Sequence, residues 1–321
     1  MRRRHTLLLP LLGLPGLARA QSFPARPMRL IIPFAAGGSN DIIGRILIEG
    51  LATRLGQPVV VENRGGAGGI LGNEVVASAA PDGHTLLLTG SGSFVSSGLI
   101  QPRVPYDWAR GFSHIGYIGA SPAVIAINPA LPARTLAEFQ ALGKTRGQPM
   151  SYASPGVGTT GHVTGALIGQ VLGIGLEHVP YRGTGPALQD VIAGRVDMIS
   201  NAAAPLQPFL QAGTLRGIAL AAGRRSDLLP NLATAAEQGF PAIDSATWFG
   251  LSTTGGSPAA AVTAVHAALN ATLAEPDVRR RLLEQGLEPE PSPTPDDFAR
   301  FVATERERWA AVIRTARITA E

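Results

Sequence analysis

No cysteine occurs anywhere in the chain. Disulfides therefore contribute nothing, and the fold must be held by an apolar core, which some 300 residues allow. Lysine is nearly absent too: Lys144 stands alone and arginine supplies the rest of the basic charge. Long hydrophobic runs are also missing. The longest, Leu7 to Leu17, has about 11 residues, too short for a bilayer that takes about 20. It follows Arg2, Arg3 and Arg4 and precedes Ala18-Arg19-Ala20, the layout of a cleavable leader ending at Ala20. No cysteine follows that site, which excludes a lipoprotein anchor, and the arginine run leaves both general and twin-arginine export open. Losing Arg2, Arg3, Arg4 and Arg19 with the leader takes the basic count from 27 to 23, against 23 acidic residues. A basic surface for nucleic acid has no support in that balance.

Catalytic patterns are sparse. No G-x-S-x-G elbow occurs, and His84, His114, His162, His178 and His266 include no i, i+4 pair of the kind that binds metal. Gly156-x-Gly158-x-x-Gly161 has dinucleotide-fingerprint spacing. It follows a short polar strand, lies mid-chain, and meets its nearest acid, Glu177, only 16 residues beyond Gly161. A nicotinamide enzyme is thus the weaker reading.

What the chain does have is glycine, 39 residues, about 12% against an average near 7%. The glycines gather where strands turn into helices. Met28 to Pro33 reads as a strand, Phe34 to Asp41 as a turn, and Ile43, Leu47, Leu51 and Leu55 as a helical stripe. Pro58 to Val61, Thr85 to Thr89, Ala123 to Ile127, Ser151 to Ser154, His178 to Pro180, Val196 to Ile199, Leu215 to Ala221 and Ala246 to Leu251 continue as strands. Helices are expected over about 70–79, 136–144, 160–172, 258–273, 276–285 and 295–316, with another opening at Tyr181 to Pro186. This alternation predicts an α/β chain of parallel sheets covered by helices on both faces, and its length allows two lobes with a cleft. Ligands of such sheets bind beyond the carboxyl ends of the strands, where the glycine turns lie. A turn of that kind aims several backbone N–H groups at one point, and the helix dipole favours an anion there. For one loop alone, shaping a tight turn is explanation enough. Two loops, Phe34 to Asp41 and Ser154 to His162, one in each expected lobe, favour a ligand site.

Pro33-Phe-Ala-Ala-Gly-Gly-Ser-Asn-Asp41 resembles the P-F-x-x-G-G-x-x-D signature of the Bug family, extracytoplasmic solute receptors associated with tripartite tricarboxylate transporters. The likeness continues through Val61-Glu-Asn-Arg64, Pro81-Asp-Gly83, Tyr152-Ala-Ser154, His162, Val179-Pro-Tyr181 with Gly183, Gly194-Arg-Val-Asp197 and Trp248-Phe-Gly250. It implies a two-lobed type II periplasmic-binding-protein fold, each lobe a mostly parallel sheet flanked by helices. Lobe one is then expected from residues 21–121 and 247–321, and lobe two from 122–246. The resemblance implies a carboxylate held by backbone amides of two facing loops: Phe34, Ala35, Gly37, Gly38, Ser39 and Asp41 on one side, Gly156, Gly158, Thr159, Thr160 and His162 on the other. Tyr181, Gly183 and Thr184 would form a third wall and Asn201 would reach the distal part of the ligand. Many relatives carry Asp where this chain has Asn201. Asp41 has a second reading as a helix cap, and His162 as a plain first-turn residue. Valine at Gly38 or Gly158 is expected to abolish binding and leave unfolding of the empty protein nearly unchanged. The implied protein is a periplasmic, non-catalytic monomer without cofactor or metal. Its partners would be a small carboxylate and the membrane permease subunits, with a sensor feeding a membrane kinase as the alternative.

Overall fold

The computed structural model describes residues 23–319, so the expected leader lies outside them. The first lobe starts as a βα ladder: β1 (Met28–Ile32), α1 (Ser39–Leu55), β2 (Val59–Asn63), α2 (Ile70–Ala77) and β3 (Thr85–Gly90). β1 pairs in parallel with both β2 and β3. Successive residues of β1 face opposite ways, Leu30 and Ile32 into one core and Ile31 into another. A strand covered on both faces reads as a continuous apolar run, as MRLII does. After β3 a π-helical turn, Ser91–Ser96, runs directly into α3 (Ser97–Ile100).

β4 (Phe112–Ile127) is the element that links the lobes. Its first eleven residues pair antiparallel with β9 (Ala246–Thr254), while Ala123 to Ile127 pair antiparallel with β7 (Met198–Ala202) and β8 (Arg216–Ala221). Between them the second lobe adds α4 (Leu136–Thr145), β5 (Met150–Ser154), α5 (Thr160–Leu172), β6 (Leu176–Pro180), α6 (Thr184–Ile192) and α7 (Ala203–Gln211). β5 pairs in parallel with β6 and β7. This lobe is also double-faced, with Ile125 and Ile127 in one core and Val124 and Ala126 in the other. Each lobe is thus parallel across its βα units and antiparallel at the crossing strands. A chain that leaves a lobe and returns must run the second crossing backwards.

The end of the chain returns to the first lobe through α8 (Ala259–Leu273), α9 (Pro276–Glu284), β10 (Glu288–Pro289) and α10 (Pro295–Ala316). Thr294 caps α10 reciprocally with Asp297, a capping box. α5 leans on α10: Val163 and Leu167 share a core with Trp309 and Ile313, and Gln170 Nε2 donates to the Val312 carbonyl at 3.1 Å.

Candidate functional site

Three helix starts come together between the lobes. α1 begins at Ser39 behind Gly38, a cap that offers no side chain. Its first N–H groups therefore lack intrahelical partners. α5 begins behind Thr159, whose Oγ1 accepts from His162 N while its carbonyl accepts from Val163 N. That cap leaves the N–H groups of Thr160 and Gly161 free. The third start is the π-helical turn, with Ser91, Gly92 and Ser93 in its first positions. Across the gap Ser91 Oγ and Thr160 Oγ1 share a hydrogen bond of 3.1 Å.

A cavity of about 220 Å³ lies among these starts. Its walls include Phe34 and Asn40 from the first loop, Gly158 to Gly161 from the second, and Ser91 to Ser93 and Ser97 from the third. Asn201 and the stretch Thr247 to Phe249 complete it. No charged side chain lines it among the described residues. Nor do the described residues hold any cluster of three His, Cys, Asp or Glu side chains placed for a metal. The positive potential at this point therefore comes from aligned backbone dipoles, each helix start carrying roughly half a charge. The volume sits below the about 300–1,000 Å³ typical of drug-sized sites, which suits a small metabolite and is too small for a dinucleotide. Larger hollows lie elsewhere, one of about 650 Å³ beside α5 and the end of α10.

Of the residues expected at the site, Phe34, Gly158, Thr159, Thr160 and Asn201 line this cavity. The others stand behind it or beside it. Ala35, Gly37, Gly38 and Ser39 are exposed and are not among the residues lining this cavity. Asp41 is buried beside them and accepts from Gly37 N at 2.9 Å, from Arg45 Nε at 3.0 Å and from Asn63 Nδ2 at 3.0 Å. Those bonds fold the loop back onto the start of α1. They also hold the Asp41 carboxyl down at about 2, the Arg45 bond being the largest cause. Asp41 is thus a loop-closing anchor off the cavity wall.

Gly156 is spent on its own turn: its N–H donates to Ser154 Oγ and its carbonyl accepts from Thr159 Oγ1 at 2.7 Å. His162 points behind the loop, away from the cavity. Its Nδ1 accepts from Gly158 N at 3.2 Å, and its ring stacks on His178 at 3.7 Å between centroids. Desolvation pushes both rings down to about 4. At neutral pH His162 is therefore uncharged with Nδ1 bare, as that hydrogen bond requires.

Tyr181, Gly183 and Thr184, expected as a third wall, are not among the residues lining this cavity. The Tyr181 hydroxyl donates to Asp190 at 2.6 Å, Gly183 N donates to the Pro155 carbonyl, and Thr184 Oγ1 accepts from Asn201 Nδ2 at 2.9 Å. Desolvation, with the Asp190 carboxylate, pushes the Tyr181 hydroxyl up to about 12, so it stays a donor. Thr184 thus positions Asn201, which is on the cavity.

Asn40, Gly68, Gly161, Ser91, Ser93, Ser97 and Thr247 to Phe249 are wall residues beyond the expected set. Gly161 is required by close approach, since a Cβ there would lie 2.6 Å from the Ser200 carbonyl oxygen. Ser91 to Ser93 follow a strand and open a helix, the same strand-to-helix signal that marked the other two loops. Thr247 to Phe249 lie on a returning strand and carry no such signal.

Residues 43–318 match the family described as the tripartite tricarboxylate transporter family receptor. The chain is 34% identical over 304 residues to protein BugT of Bordetella pertussis, covering 94% of this chain and 93% of that protein. It is similar to MatC from Rhodopseudomonas palustris, solved with bound malate, at 32% identity and a TM-score of 0.76, covering 91% and 100% of the two chains. An R. palustris protein solved with adipate is similar at 30% identity and a TM-score of 0.79, covering 92% and 99%. The fold, the paired βα loops and these matches agree, and the chain belongs to the tripartite tricarboxylate transporter receptor family.

Proposed function

We propose that this protein is a periplasmic receptor that captures a small organic carboxylate in the interlobe cleft and delivers it to the permease of a tripartite tricarboxylate transporter. One observation carries the reading: a small cavity walled by three helix starts with no charged side chain on it. Such a wall suits an anion, because each charge-assisted hydrogen bond from a backbone N–H contributes about 1.5–3 kcal/mol and no buried cation has to be desolvated. The carboxylates in the similar R. palustris proteins, malate and adipate, support the same ligand class here. The leader pattern of residues 1–20 and the absence, among the described residues, of any helix long and apolar enough to cross a membrane support an exported receptor. Residues 21–121 with 247–321 form the first lobe in this reading and 122–246 the second. They hinge where β4 exchanges β9 for β7 and β8, between Pro122 and Ala123.

Titration calorimetry of the mature chain tests this. Malate or adipate should give a saturable one-to-one heat, and their uncharged diamides none. The affinity should change little between low and high salt, because the donors are fixed dipoles enclosed by protein. A panel of mono-, di- and tricarboxylates that all fail to bind overturns the proposal.

A further inference from the structure

The second loop is held by a pair of imidazoles. His162 on α5 and His178 on β6 stack with their planes 8° apart and their centroids 3.7 Å apart, and Tyr152 on β5 stacks on His178 at 4.9 Å. Each imidazole holds a different part of the loop. His162 Nδ1 accepts from Gly158 N at 3.2 Å. His178 Nε2 shares a 2.6 Å hydrogen bond with Ser154 Oγ, which accepts in turn from Gly156 N. Gly158 lines the ligand cavity at a φ of +78°, and a glycine's conformation is set by its partners more than by its own sterics. Without His162 its buried amide would have no acceptor among the described residues, which is costly. Both rings also line the hollow of about 650 Å³ beside α5 and the end of α10. The other titratable groups there are Tyr152, whose hydroxyl donates to the His162 carbonyl, and Arg317 from the end of α10. No carboxylate lines the hollow among the described residues, and Glu177 lies on the opposite face of β6 from His178. Nothing there favours a charged ring, while the hollow gives a proton access to it.

We infer that His162 is a positioning residue for the ligand wall: its uncharged ring holds Gly158 in place, and a proton taken at Nδ1 releases that amide and loosens the loop. This rests on the carboxylate-receptor reading above and adds the group that sets one wall of its cavity. With Nδ1 bare, the neutral ring carries its hydrogen on Nε2, so the next proton goes to the accepting nitrogen itself. Both ring nitrogens are then donors, and Nδ1–H stands against the Gly158 N–H. A second proton on His178 is opposed by the first across the 3.7 Å stack.

Nuclear magnetic resonance of the empty, ¹⁵N-labelled mature chain reads the hold directly. At pH 7 the His162 ring should show a bare Nδ1 and a protonated Nε2. As pH falls, the Gly158 amide shift should move with the same midpoint as that ring, near 4 and well below the ordinary 6.5. In His162→Asn, whose Oδ1 offers a non-titrating acceptor, the amide should not follow pH. Calorimetry at pH 7 with malate or adipate then reads the wall. His162→Asn should bind much as wild type does, and His162→Leu, with no acceptor, should lose about tenfold, as expected for one hydrogen bond. Thermal unfolding of the empty variants checks the fold, and if leucine fails it, the wild-type ring and amide signals decide. A protonated Nδ1 at pH 7, an amide that ignores the ring's titration, or a folded leucine variant with wild-type affinity overturns the inference and leaves the receptor standing. Wild type that binds no carboxylate at all overturns both.

Discussion

Gly158 holds a φ of +78° on the cavity wall, and a Cβ there would stand 3.4 Å from Ser97 Oγ across the cleft. The left-handed conformation costs an L side chain roughly 1–2 kcal/mol. Gly38 differs: its φ is −84° and the nearest atom to an added Cβ is the Ala35 carbonyl oxygen at 3.7 Å. Gly158→Ala should therefore lower the urea midpoint of the empty protein and weaken ligand binding. Gly38→Ala should change neither. Equal stability of the two variants would show that the loop at 158 relaxes freely. Asp41 gives a second residue-level outcome. Its folded pKa of about 2 lies below the ordinary 3.8, so its stabilisation is fully present above about pH 4 and is lost as pH falls through about 2. The shift amounts to about 2 kcal/mol. Asp41→Asn should cost about that much in urea unfolding at pH 7, and the gap to wild type should close toward pH 2. A gap that stays constant with pH would assign the loss to packing.

Among the elements, α10 reaches the cavity wall through one carboxylate. Glu305 is buried, and its Oε2 accepts from Trp248 Nε1 at 3.0 Å and from Trp309 Nε1 at 3.1 Å, while its Oε1 accepts from Arg308. Trp248 lines the cavity. Glu305→Ala strands two buried indole donors and should cost about 3 kcal/mol or more. Glu305→Gln keeps an acceptor oxygen and should cost less than half of that in denaturant unfolding. Equal losses would mean that the charge pair with Arg308, rather than the indoles, carries the effect. None of this was visible in sequence, because three side chains from β9 and α10 meet only in the folded state. Elements were legible where one local signal dominates. The 160–172 helix matches α5 end to end, since Thr159 caps it and Gly173 ends it in a left-handed turn. β4 was legible only in its second half, where apolar residues run on. Its first half passes Gly116 and Gly119 through register shifts. α7 was missed because Pro208 stands inside it and a proline reads as a breaker. The site was half legible for a related reason: glycines announce a turn, but side-chain bonds that form only in the folded chain, such as Asp41 with Gly37 N, are not readable from the glycines.

At the scale of the whole molecule, the lobes are joined by two crossing strands and touch again at the cavity. If the cleft must open to exchange ligand, the contact between Ser91 and Thr160 has to part each time. Those two oxygens are 3.1 Å apart, and they lie on helix starts from different lobes. The chain has no cysteine, so Ser91→Cys with Thr160→Cys introduces a single pair with no competing partner. The oxidised double variant should hold the lobes together, as hinge closure around a ligand would. Ligand already inside should then leave far more slowly than from the reduced form, by about tenfold or more. Ligand added from outside should enter equally slowly, and a reductant should restore both rates. The single-cysteine variants, oxidised in the same way, control for the lost hydroxyls. Stopped-flow exchange of a bound diacid against a labelled one measures the rates directly. Exchange that is equally fast in the oxidised and reduced double variant would show that ligand reaches the cavity without parting the lobes. The hinge at β4 and β9 would then have no part in capture.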